Sequence, residues 1–254
     1  MSTLSLVILF IAGLLLGSFL SAVIYRIHYN KPGLFTGFSI CPKCNKQLGP
    51  QDLVPLFSYL IQGGKCRHCK KHISWHYPVL ELSTGLLFVA MGTAGLAPLG
   101  LYLFFGLILV FIFFYDLLYL EIPDEIMIPS IVIALLATFH PETISFLNGF
   151  YGAAVVVLFF LLQIIISRGK WLGGGDLRIG AFIGFILGFK LTIVAVFLSY
   201  VIGSIISVFL LITGRAKGKT MIAFGPFLVL GTLITIFYGD FLVEWYLDLT
   251  NLSL

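Results

Sequence analysis

Charge is what this 254-residue chain has least of: 10% of its residues are Asp, Glu, Lys or Arg, against 59% hydrophobic. A soluble domain carries about 25% charged residues, and mean hydropathy here is +1.08. That shortage excludes an ordinary soluble enzyme and indicates an all-α polytopic membrane protein. Between Arg26 and Lys71 eight of the 15 Lys and Arg stand against a single acid, Asp52. Cysteine is scarce too, four in all, and every one lies between positions 41 and 69. No Ser sits in a GxSxG turn, no HExxH is present and there is no P-loop, so serine hydrolysis, zinc-protease chemistry and nucleotide hydrolysis lack their usual carriers. The chain shows no strong internal repeat and no low-complexity linker.

What is abundant is long apolar sequence. Leu4 to Tyr25 is a nearly uninterrupted run, long enough to span a bilayer. Basic residues follow this run, as Arg26 and Lys31, whereas a signal peptide carries them before it. A retained first span with its N-terminus outside is therefore expected. Seven more spans are predicted near 79–96, 100–118, 125–139, 146–167, 177–189, 191–213 and 221–247. Alternation then places 168–176 and 214–220 in the cytoplasm with Arg168, Lys170, Arg215, Lys217 and Lys219, while Glu142, Asp240, Glu244 and Asp248 lie outside or near that face. The asymmetry supports eight spans with both termini outside. The predicted organisation is a first span at 1–25, a cytoplasmic segment at 26–77 and a membrane core at 78–254. Two predicted spans, 125–139 and 177–189, are only about 20 Å long as helices, against a hydrocarbon core of about 30 Å. Each begins beside an Asp, which predicts helices that start below the cytoplasmic surface and line a cavity open to water.

The cysteines form two pairs, Cys41-Pro-Lys-Cys44 and Cys66-Arg-His-Cys69. Four thiolates in two CxxC turns suit tetrahedral zinc, and a closed site of that kind is structural. A segment this small has little core, so the metal would supply much of its folding free energy. His68, His72 and His76 are nearby but are read as solvated. The basic charge of the segment is assigned to anionic lipid headgroups, with no nucleic acid partner.

The remaining chemistry is carboxylate chemistry. Gly173, Gly174 and Gly175 precede Asp176 and Arg178 in WLGGGDLRIGA. Glycine there lets another backbone, such as an extended peptide, approach closely. Asp176 reads either as a functional carboxylate in an apolar setting or as the cap of the following helix. Asp116 and Asp124 stand in FFYDLLYLEIPD. Asp124 follows Pro123 and looks like a helix N-cap, whereas Asp116 lies inside an apolar run with no such local reason. Two carboxyls sharing a proton can activate water and protonate a leaving amine. The rival reading of paired membrane carboxylates is a proton-coupled transporter.

With these residues in order, the chain resembles the type IV prepilin peptidases, GxGD-type intramembrane aspartyl proteases. GSFLSAVIYR at 17–26, the stretch from CPKC through ELSTGLLF, DLLYLEIPD at 116–124, GGGDLRIGA at 173–181 and FGPFL at 224–228 carry the resemblance. It implies Asp116 and Asp176 as the catalytic pair, with prepilins and pilin-like secretion or competence proteins as substrates. Cleavage would follow the last Gly of a short basic leader, on the cytoplasmic side of the bacterial inner membrane. It further implies methylation of the new N-terminus with S-adenosylmethionine. Glu81, matching the acid of a PxxE motif, is the residue expected to engage substrate or cofactor, with the glycines, Arg178 and Asp124 as further candidates. Arg178 stands where Lys is usual, keeping the charge but changing its geometry, and Trp75-His76 replaces a common Arg before Tyr77-Pro78.

Overall fold

The computed structural model describes residues 1–215 and 221–250; Lys217 and Lys219, expected in a cytoplasmic loop, lie outside them. The described chain is helical, with isolated bridges in place of sheet. It forms two compact units, Met1–Phe114 and Tyr115–Leu254, and the boundary falls within one helix.

In the first unit α1 (Thr3–His28) starts where the Ser2 hydroxyl accepts the Ser5 N–H at 3.2 Å. It packs on α3 (His76–Thr93) through small residues. A Cβ at Gly13 would sit 2.7 Å from the Gly85 Cα, and one at Gly17 2.9 Å from the Glu81 Cα. Such close approach is how helices associate where lipid removes the hydrophobic drive between them. The short α2 (Phe57–Ile61) lies in the intervening cysteine segment, and α4 (Leu99–Tyr119) follows α3.

In the second unit α5 (Asp124–Ala137), α6 (Phe146–Ser167), α7 (Gly174–Ile212) and α8 (Gly225–Thr250) continue from the end of α4. Helix α7 is interrupted at Gly188, whose φ of 73° and ψ of 179° are open only to glycine. The Asn148 carboxamide on α6 then accepts the Phe189 N–H at 2.8 Å, starting the second half of α7 from a neighbouring helix. A straight helix would put positions 176 and 200 about 36 Å apart, yet Tyr200 lies within electrostatic reach of Asp176. The two halves of α7 are thus folded back on each other. Gly184 and Gly152 let α7 and α6 touch backbone to backbone, and Gly231 does the same for α8 against Ala195 and Ser199.

Split at Gly188, the long helices and α5 make eight segments that overlap the eight predicted runs, with ends displaced by as much as four residues. Five of the described helices, α1, α4, α6, α7 and α8, are long and apolar enough to cross a membrane. Helix α5 and the first half of α7 are each about 20 Å long and cannot cross unaided.

Candidate active site and metal centre

The cysteine segment builds two copies of one turn. In the first, the Cys41 N–H donates to the Lys46 carbonyl and the Asn45 N–H to the Cys41 carbonyl, at 3.0 and 2.8 Å. In the second, the Cys66 and Lys70 N–H groups do the same toward Lys71 and Cys66, both at 2.9 Å. Asn45 and Lys70 take the matching left-handed conformation, φ 56° and 57°. The four sulfurs come within 4.8 Å of one another, Cys41 and Cys69 at 4.0 Å. Four thiolates at the usual Zn–S length of about 2.3 Å lie about 3.8 Å apart around a tetrahedral ion, so this donor set fits zinc. Backbone N–H groups of Cys69 and His68 pull the Cys66 thiol down to about 7. At Cys44 the Lys46 N–H lowers the thiol, but burial and the neighbouring thiols of Cys41 and Cys69 outweigh it and push the group up to about 11. Binding a metal would strip the remaining protons. His68 and His72 are exposed as expected, whereas His76, read from the sequence as solvated, is half-buried at the start of α3.

Asp116 and Asp176 in the second unit are each held by a backbone N–H, one distant in sequence and one local. Asp116 is 7% exposed near the end of α4, and its Oδ2 accepts the N–H of Gly225, the first residue of α8, at 2.8 Å. Sequence reading gave Asp116 no capping duty; it caps a helix begun 109 positions later. Gly225 is required for that contact, because a Cβ would lie 2.6 Å from the same oxygen. Asp176 is the third residue of α7, and its Oδ2 accepts the Gly173 N–H at 2.9 Å. The Asp176 N–H returns the bond to the Gly173 carbonyl at 3.2 Å, so the acid also braces its own helix. Asp116 and Asp176 lie within electrostatic reach of each other.

The three glycines differ. A Cβ at Gly175 would meet Ile122 at 2.9 Å, so that glycine admits the 120–123 connection. Gly174 has nothing within 4 Å, and both it and Gly173 are exposed. The expectation that Asp124 is an N-cap is corrected: the cap position is held by Pro123, and Asp124 is the first helical residue. Proline fits that position because its fixed φ suits entry to a helix. Asp124 instead pairs with Arg178 at 2.8 Å, joining the starts of α5 and α7. In the first unit Glu81 is buried, and its Oε2 accepts the Leu56 N–H at 2.8 Å, with Ser18 as a second partner. Two residues went unnoticed in the sequence: Tyr200 and Gln163, hydrogen-bonded to each other at 2.9 Å, with Tyr200 within electrostatic reach of Asp176. A polar residue inside an apolar run such as LLQIII was the available signal.

These features define a polytopic helical membrane protein with a cluster of four cysteines that could hold a metal and two aspartates within electrostatic reach of each other. The chain belongs to the type IV prepilin leader peptidase family, a family of enzymes. The bacterial peptidase A24 N-terminal domain matches residues 11–94, and the type IV leader peptidase family matches 103–208. Curated relatives named prepilin leader peptidase/N-methyltransferase align almost end to end. That of Bacillus subtilis is 34% identical over 244 residues, covering 95% of this chain and 98% of the relative. Those of Pseudomonas aeruginosa and Neisseria gonorrhoeae are each 30% identical and cover 93% of this chain, with 91% and 93% of the relative. No solved structure matches the chain.

Proposed function

We propose that the chain is an intramembrane aspartyl endopeptidase that removes the leader of type IV prepilins and pilin-like proteins, with Asp116 and Asp176 as its catalytic pair. The observation that carries this reading is the apposition of two acids from separate helices, each fixed by a backbone N–H. With one proton shared between them, the ionised carboxyl takes a proton from water as its oxygen attacks the scissile carbonyl carbon. The protonated carboxyl gives its proton to the departing nitrogen as the C–N bond breaks. The short first half of α7 and α5 support a water-filled recess, since irregular backbone at membrane depth needs such cover. Exposed Gly173 and Gly174 offer an edge along which an extended leader can lie. Arg178 and Asp124 hold the rim, and Glu81 ties the cysteine segment to α3.

The same reading takes all eight segments as spans, with both termini outside and the site facing the cytoplasm of a bacterial inner membrane. Residues 1–25 form the first span, 26–77 a cytoplasmic zinc domain and 78–254 the protease core. Cys41, Cys44, Cys66 and Cys69 would hold a structural zinc, and anionic lipid is the partner of the basic segment. N-methylation with S-adenosylmethionine comes from the relatives' name alone. A cavity in the first unit, about 230 Å³ and lined by Ser18, Arg26 and Ser39 among mainly apolar side chains, does not fit the whole cofactor. It is smaller than the roughly 300–1,000 Å³ of ligand pockets, and Arg26 donates to the carbonyls of Gly33, Leu34 and Gly37. No residue is therefore assigned to that group.

The test is mass spectrometry of a pilin-like substrate incubated with the purified protein and S-adenosylmethionine. Loss of the leader supports the peptidase, and an added methyl group supports the second activity. An intact substrate, with solute uptake driven by a proton gradient in liposomes, favours the transporter.

A further inference from the structure

Gln163 is the polar side chain in an otherwise apolar stretch of α6, VVVLFFLLQIII. Its Oε1 accepts the Tyr200 hydroxyl at 2.9 Å, while its Nε2 is buried with no acceptor among the described residues. The Tyr200 hydroxyl, having given its proton to Gln163, keeps lone pairs that can accept. One unused donor and one available acceptor therefore stand side by side between α6 and the second half of α7.

Their place in the unit gives them meaning. Tyr200 lies within electrostatic reach of Asp176. Its ring is 5.1 Å from that of Phe224, the residue before Gly225, whose N–H binds Asp116. Phe159 and Phe160 complete an aromatic surround, 6.1 Å from Tyr200 and Phe224 respectively. Tyr200 thus stands between the surroundings of Asp176 and the start of α8, where Gly225 holds Asp116, within an aromatic surround. An extended peptide brought there carries its own N–H and C=O groups, which cannot stay bare at membrane depth. Peptides bound in extended form are held through these main-chain groups.

We propose that Gln163 and Tyr200 read the backbone of the peptide substrate beside the scissile bond. The Gln163 Nε2 donates to a peptide carbonyl, and the Tyr200 hydroxyl oxygen accepts a peptide N–H. This rests on the reading that the unit cleaves an extended peptide. A role as helix glue between α6 and α7 needs only the 2.9 Å bond and leaves the Nε2 group without purpose.

The experiment is steady-state cleavage of a pilin-like peptide by the full-length protein and by Q163L and Y200F. It is paired with substrates in which single backbone amides near the cleavage site become esters. Each variant should raise KM about tenfold, the size of one neutral hydrogen bond, with kcat within about twofold. One ester substrate should lose affinity for the unsubstituted protein by a similar factor and lose nothing further with Y200F. Unchanged KM in both variants overturns the proposal, as does an ester penalty that Y200F leaves intact. If Q163L does not fold, Y200F and the ester series decide the matter by themselves. No cleavage by the unsubstituted protein overturns the peptidase reading itself, and this inference with it.

Discussion

In the cysteine segment, chemistry and scaffold come from the same few residues. Each CxxC turn closes on itself through Cys41 and Lys46 or Cys66 and Lys71, and only the meeting of the two turns is non-local. The acid pair is built the other way. Asp116 lies near the end of α4 and is held by Gly225, while Asp176 stands in the first turn of α7, which returns toward it at Tyr200 after the break at Gly188. With zinc bound as proposed, the first kind of site should survive changes elsewhere in the chain and collapse when the metal is removed. The second depends on several helices keeping their places.

The largest effect expected from this difference is metal loss. Structural zinc in small domains binds with about 10–16 kcal/mol. The purified protein should therefore carry about one equivalent, and Cys41→Ser should remove it. Limited proteolysis should then cut between residues 29 and 75 while α5 to α8 stay protected. Cleavage spread over the second unit would break the comparison.

Next comes Gly184→Ala, where the new methyl would run into the backbone of Ala153. Overpacking of this kind costs about 1–3 kcal/mol or more, read as a lower unfolding midpoint in detergent, with metal content unchanged. Gly225→Ala should displace the Asp116 carboxyl, for which a cost of about 1–3 kcal/mol corresponds to a roughly 5- to 150-fold loss of kcat. Gly174→Ala, with open space around it, is its control and should leave folding unchanged.

The smallest effect belongs to Arg178→Lys. An exposed ion pair is worth about 0–1 kcal/mol, and Lys preserves the charge facing Asp124. Stability should therefore stay within that range. A larger change would mean that the rim carries part of the acid site.

The helical segments, the cysteine cluster and both acids were legible in the sequence because each is written in adjacent residues: apolar runs, CxxC pairs, an Asp out of place. The second half of the acid site was not. Nothing near Asp116 names Gly225, since the hydrogen bond joins two helix ends distant in sequence. Asp124 was misread for a related reason. Its position looked like a cap, but Pro123 already met the backbone requirement and left the carboxylate free for Arg178. Gln163 and Tyr200 were passed over because the functional weight of a lone polar residue depends on what the fold brings beside it.

The measurement that bears most directly on the central claim is cleavage of one pilin-like substrate by the unsubstituted protein, Asp116→Asn and Asp176→Asn in parallel. Helix content and zinc content are followed in the same preparations. Asn keeps an oxygen to accept the Gly225 or Gly173 N–H but cannot carry the proton. Acid–base groups contribute about 10²–10⁴-fold each, so each variant should lose at least about 10²-fold in kcat with fold and metal retained. Cleavage by Asp116→Asn at the unsubstituted rate would contradict the account.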